Sequence, residues 1–131
     1  MKPLSRSQRR LLELRLRARE QEIRAAIRRR VEDGAAASYA SLNGSAHDQG
    51  DEALADLAAE IDRAVNASEA AELEAIAVAH VRLANGRYGF CANCGEPIGY
   101  ERLLAQPTAM RCIRCQTRHE HMFAGQAHSS I

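Results

Sequence analysis

Four cysteines constrain this chain more than any other feature. Cys91 and Cys94 in "FCANCGE" and Cys112 and Cys115 in "RCIRCQ" form two Cys-x-x-Cys pairs, seventeen residues apart, and the chain holds no further cysteine. A two-residue gap lets two sulfurs from one turn reach the same ion, and two such turns complete the tetrahedral thiolate set that Zn²⁺ favours. Gly89 and Gly95 flank the first pair and permit the backbone angles of a tight knuckle. Four thiolates leave no open coordination position, so the expected ion is one structural Zn²⁺ per chain. The seventeen intervening residues fit a compact loop or ribbon. Little else in residues 87–116 supplies a core, so folding of this segment is expected to depend on the metal. A dithiol oxidoreductase would need one such pair beside a βαβ framework, and that pattern is absent. His119 and His121 are surplus to a complete cysteine set and are expected on the solvent face of a helix.

The rest of the chain reads as helix. Its 131 residues have the length of one domain, but with no Trp, three Tyr, two Phe and much alanine, a large globular core is not expected. Alanine, leucine, arginine and glutamate dominate up to residue 85, the composition of long helices packed side by side. From Leu4 to Val31, the residues Leu12, Leu16, Ile23, Ile27 and Val31 recur at helical spacing. Residues 32–50, with three glycines among serines and an asparagine, read as a loop. From Asp51 to about Ala84 a second stripe follows: Leu54, Leu57, Ile61, Val65, Leu73, Ile76, His80 and Leu83. His80 lies on that stripe and is expected to pack there. "NGRYG" then ends the helix.

Charge supports an antiparallel pairing of these two helices. The net charge is +1, yet residues 1–31 carry eleven basic and three acidic side chains, residues 32–76 one basic and eleven acidic, and residues 77–131 six basic and three acidic. Reversing the chain within 32–50 brings Ile23 to Ile61 and Ile27 to Leu57, with Arg24 near Glu60 and Arg28 near Asp56. These would be the flanking pairs of an antiparallel coiled coil, a rod of roughly 50 Å at about 1.5 Å per residue. The acidic block can thus satisfy the basic one, although a basic block could also bind nucleic acid. At the reversal, Asp48 and Asp51, with Ala53 two residues on, sit where the loop enters the second helix. Capping accounts for both aspartates, and a functional tip is the alternative.

The fold class expected is mostly α: a long antiparallel coiled-coil hairpin over 1–86 with an acidic tip at about 45–55, a small four-cysteine zinc finger with the start of a C-terminal helix over 87–120, and a tail over 121–131. No apolar run is long enough to cross a bilayer and no signal peptide is apparent, so a cytoplasmic protein is expected, in a compartment where paired cysteines serve as metal ligands rather than disulfides. No nucleophile and base at a recognisable spacing, phosphate-cradling glycine loop or open metal site points to an enzyme.

"YGFCANCGEPIGYERLLAQPTAMRCIRCQ", residues 88–116, resembles the four-cysteine zinc finger of the TraR/DksA family, down to Gly-Glu-Pro-Ile-Gly, Arg102-Leu103 and Pro107-Thr108-Ala109. The upstream "DQGDEA" is similar to that family's Asp-x-x-Asp-x-Ala coiled-coil tip, matched by Asp48, Asp51 and Ala53, and the resemblance runs from about residue 5 to 120. It implies a monomeric transcription regulator, not an enzyme, that binds RNA polymerase directly. The coiled coil would enter the secondary channel and place Asp48 and Asp51 near the active centre, with no sequence-specific DNA binding of its own. Members that respond strongly to ppGpp carry a basic residue before Pro-Thr-Ala, another after the last cysteine and an acidic one just before it. Here Gln106, Gln116 and Arg114 stand at those places, so little or no ppGpp dependence is expected. Two rival functions remain: a DNA-binding zinc protein using the basic block with Arg111, Arg114 and Arg118, and a thiol-based redox sensor acting through zinc release.

Overall fold

The structure, a computed structural model, describes residues 1–43 and 49–129, with side chains described for 1–34 and 52–123. Four helices follow one another: α1 (Arg6–Asn43), α2 (Gln49–Ala84), α3 (Tyr100–Ala105) and α4 (Ile113–Ser129). The fold is mostly α, a long hairpin followed by a four-cysteine finger and a C-terminal helix. Among the described residues, β pairing is confined to an isolated antiparallel bridge between Phe90 and Pro97.

The ends of the long helices are set by local chemistry. Ser5 Oγ accepts the Gln8 amide at 3.1 Å, while Gln8 Oε1 accepts the Ser5 amide at 2.9 Å. This reciprocal capping box satisfies donors that the first turn of a helix leaves open. At the other end of the pair, α2 closes with the two crossed bonds of a Schellman motif. Arg87 N donates to Arg82 O at 2.9 Å and Gly86 N to Leu83 O at 3.5 Å, with Gly86 at φ 76°.

Three features differ from the sequence expectation. Residues 32–43, expected in a loop, continue α1. One glycine costs a helix about 1 kcal/mol, and the alanines and leucine of "GAAASYASLN" offset it; a Cβ at Gly34 would meet nothing within 4 Å, as on an open helix face. The second difference lies between the cysteine pairs, where the short helix α3 replaces a plain loop or ribbon. In addition, α4 runs on to Ser129, through most of the residues expected as a tail.

The chain divides into two compact units, Met1–Arg17 with Ile76–Ile131, and Ala18–Ala75. Within Ala18–Ala75 the two helices run antiparallel and are joined by ion pairs. Arg19 forks onto Glu72, Nε to Oε1 at 2.6 Å and Nη2 to Oε2 at 3.0 Å. Arg30 reaches Glu69 and also donates to Asn66 Oδ1, at 3.1 Å from Nε. The pairing is therefore displaced from the expected register by about two to four helical turns, because the continuation of α1 moves the reversal to between Asn43 and Gln49. The proposed Arg24–Glu60 and Arg28–Asp56 pairs are not the ones formed. Arg24 instead bonds Glu20 on its own helix at 3.1 Å. Ile23 is buried as expected, whereas Leu54, Leu57 and Ile61 are more than half exposed.

The other unit holds most of the buried apolar side chains. Leu12 and Leu16 from α1, Ile76 and Ala79 from α2, and Tyr88, Ile98, Leu103 and Ala109 from the finger are all buried. Leu12, Ile98 and Leu103 have no exposure at all. The finger thus has apolar support besides a metal, contrary to the expectation from its own sequence. His80 is half-buried on α2.

Candidate metal centre

The cysteine site is assembled from two turns and one helix start. Gly89 at φ 88° and Gly95 at φ 77° bracket the first turn in a region that other residues adopt at a cost. Gly95 N donates to Cys91 O at 2.9 Å, closing the knuckle, and Cys91 N donates to Glu96 O at 2.8 Å. Ile98 N to Gly89 O at 2.8 Å ties the two sides of the hairpin around it. Ala92 N reaches across to Met110 O at 2.8 Å and so brings the second turn to the first. Gln116 N to Cys112 O, 2.9 Å, starts α4, which carries Cys115 on its first turn.

These constraints bring all four sulfurs together. The Sγ atoms of Cys91, Cys94, Cys112 and Cys115 lie within 4.8 Å of one another, and Cys94 Sγ is 3.9 Å from Cys112 Sγ. Zinc–sulfur bonds of about 2.3 Å in a tetrahedron require sulfurs about 3.8 Å apart, so the cluster is at the size the ion needs. Cys91 and Cys115 are buried, Cys112 is half-buried and Cys94 is exposed. All four are free thiols.

The electrostatics of the four-thiol set also ask for a cation. Burial works against ionising Cys91, yet the backbone amides of Cys94, Cys112 and Asn93 bring its thiol down to about 6. Cys115 moves the other way, up to about 12, because the Cys112 side chain, burial and the Cys91 and Cys94 side chains all oppose one more negative charge there. Four close thiols cannot all ionise by themselves. A dication removes the conflict and lets all four be thiolates. The donor set therefore fits one structural Zn²⁺.

Two arginines whose roles the sequence did not disclose border the site. Arg82, in the last turn of α2, donates through Nη2 to Phe90 O and, at 3.1 Å, to Arg87 O. Arg102, on α3, donates through Nε to Arg111 O at 2.9 Å. Arg102 was legible only as part of a motif, and Arg82 carried no signal, because its reach depends on how α2 ends. Tyr88 adds a further tie, its hydroxyl donating to Pro107 O at 2.8 Å.

The remaining candidates are dispersed. His119 and His121 lie on α4 outside the cluster, with the His119 ring edge-on to Phe123 at 4.5 Å between centroids. Gln106 is exposed, and Gln116 Nε2 donates to Glu120 Oε1 at 3.1 Å. Of the tip residues, Asp48 lies outside the described residues, Asp51 belongs to the first turn of α2 with its side chain outside the description, and Ala53 is exposed on α2. No helix is long and apolar enough to cross a membrane among the described residues.

Residues 86–121 match the family model described as the prokaryotic dksA/traR C4-type zinc finger. A protein named RNA polymerase-binding transcription factor DksA from Caulobacter vibrioides is 51% identical over 39 residues, which cover 30% of this chain and 28% of that protein. Its namesake from Escherichia coli K12 is 52% identical over 33 residues, covering 25% of this chain and 22% of that protein. These alignments thus span only about a quarter of the relatives' own length. The likeness in structure is far more extensive: the transcription factor DksA2 from Pseudomonas aeruginosa superposes with a TM-score of 0.72 at 30% identity, over 92% of this chain and 88% of that one.

Proposed function

This chain belongs to the DksA/TraR family of C4 zinc-finger proteins, and from that premise we propose that it is a transcription regulator that binds RNA polymerase directly and has no catalytic activity of its own. The observation that carries the reading is the match to a transcription factor along nearly the whole chain, hairpin included. The domain roles follow the sequence division except at its end: residues 1–86 form the hairpin arm and 87–120 the zinc-stapled base, from which α4 continues to Ser129 in place of a tail. The hairpin enters the secondary channel, with Asp48, Asp51 and Ala53 acting at its tip. Support for the tip comes from the chain order, since Asp51 belongs to the first turn of α2 and Asp48 precedes it by three residues. The protein acts as a monomer in the cytoplasm, without sequence-specific DNA contacts.

Dependence on ppGpp is slight. Neutral Gln106 and Gln116 occupy the places where responsive members carry cations, and the Gln116 amide is engaged by Glu120. A neutral amide offers a phosphate only weak, uncharged donors in place of a charge-assisted bond.

The tip is tested by replacing its charge while keeping its shape. Asp48→Asn and Asp51→Asn retain a side-chain oxygen able to cap a helix. Each is expected to lose regulation at a responsive promoter in vitro while occupancy of polymerase stays near wild type. Retained regulation by the double variant at equal occupancy would leave the aspartates a capping role alone.

A further inference from the structure

The two arginines beside the metal centre occupy equivalent places in its two halves. Phe90 is the residue before Cys91, and its carbonyl is held by Arg82. Arg111 is the residue before Cys112, and its carbonyl is held by Arg102 at 2.9 Å. Each Cys-x-x-Cys turn therefore has a guanidinium on the carbonyl that immediately precedes its first ligand. The two cations come from different elements, the end of α2 and the short α3, so no single local motif produces the coincidence.

We propose that Arg82 and Arg102 are positioning residues of the metal centre, each fixing the peptide plane that enters one knuckle, and that together they set how tightly the finger holds zinc. Three physical effects act in the same direction. First, a ligating sulfur is aimed by the peptide preceding its Cα, and clamping that peptide's oxygen restricts the swing of the cysteine. Second, a zinc ion with four thiolates carries a net charge of −2, which nearby guanidinium groups stabilise. Third, a cation on a carbonyl polarises the whole peptide group. The peptide between Arg111 and Cys112 is one such group, since its carbonyl accepts Arg102 Nε at 2.9 Å.

Arg82 has a further consequence. Its own carbonyl accepts the amides of Arg87 at 2.9 Å and Tyr88 at 3.1 Å, while its side chain holds the carbonyls of Arg87 and Phe90. One residue thus both ends α2 and anchors the first knuckle. Metal occupancy is mechanically coupled to the C-terminal turn of α2 through that residue.

The test is competition for zinc between the full-length protein and a chromogenic chelator, with the Co²⁺-loaded protein's thiolate charge-transfer and d–d absorption as a second readout of site geometry. Outer-shell partners typically contribute ten- to hundredfold in metal affinity. Arg82→Met and Arg102→Met are each expected to weaken zinc binding by about tenfold or more, and to broaden the cobalt spectrum. Arg82→Lys and Arg102→Lys keep the charge but lose the planar fork, and should fall between wild type and the methionine variants. Tyr88→Phe is the control for a general loosening, since it removes a finger hydrogen bond that adjoins no cysteine; its zinc affinity should stay close to wild type. Wild-type affinity in both methionine variants would overturn the proposal, as would an equal loss in Tyr88→Phe. Should the methionine variants take up no metal at all, the lysine variants decide: intermediate affinity supports the proposal and wild-type affinity overturns it.

Discussion

Gly89 offers a quantitative test of how the N-terminal segment seats on the finger. Its φ of 88° lies where a side chain is strained, and a Cβ added there would stand 2.8 Å from Leu4 Cδ1 and 3.3 Å from Leu4 Cγ. Gly95 supplies the matched reference. Its φ is 77°, yet its Cβ would meet nothing within 4 Å. Substituting alanine at Gly95 therefore carries only the backbone term, about 1–2 kcal/mol. At Gly89 the same backbone term is joined by overpacking against Leu4, typically about 1–3 kcal/mol, for a combined loss of about 2–5 kcal/mol. Truncating Leu4 removes the obstacle, so Gly89→Ala in a Leu4→Ala background should fall back to the backbone cost. Urea unfolding of the zinc-saturated protein, followed by tyrosine fluorescence and far-ultraviolet circular dichroism, gives the four free energies of the cycle. Equal costs for Gly89→Ala in both backgrounds would refute the packing of Leu4 on this turn.

Other outcomes follow from the ion pairs, the metal and the missing cations. The Glu72 carboxyl is held below its ordinary value of 4.5 by its bonds to Arg19. Its contribution to stability is therefore complete above about pH 4.5 and is lost as the pH falls through the lowered folded value; a Glu72→Gln variant should show a flatter acid limb in pH-dependent urea unfolding. Cys112→Ser should abolish stoichiometric zinc in metal analysis and loosen the cysteine turns of the finger while far-ultraviolet helicity is largely retained, because most helical residues lie in α1 and α2. In transcription assays run with and without this protein, the ppGpp response should change little on adding it, and installing Gln106→Arg with Gln116→Lys should raise the response.

The metal ligands were legible because they are a local pattern: sulfur chemistry and a two-residue gap specify the turn without knowledge of the rest of the chain. Helix type was legible for the same reason, in the periodicity through Leu12, Leu16 and Ile23, all buried as expected. Register was not. It depends on where α1 ends, and the glycine and serines of residues 32–43 look like a loop although alanine propensity carries the helix through them. Misplacing that end displaced the expected cross-helix ion pairs: Glu72 meets Arg19 and Glu69 meets Arg30, where Glu60 and Asp56 were expected to meet Arg24 and Arg28. The arginine clamps were hidden for a related reason. A guanidinium seeking a carbonyl eight residues away leaves no periodic trace, and the bond exists only once the Schellman turn has folded back. Ser5 and Gln8, by contrast, did present a capping-box spacing from which the start of α1 could have been read.

The most direct test of the central claim is equilibrium binding of the zinc-loaded, full-length protein to core RNA polymerase, measured in parallel with its binding to bare duplex DNA over a range of salt. The account predicts saturable one-to-one binding to polymerase that needs no DNA, and no appreciable affinity for the duplex at physiological salt. Strong, steeply salt-dependent binding to bare DNA, with none to polymerase, would contradict it and identify the basic block of residues 1–31 as a nucleic-acid surface.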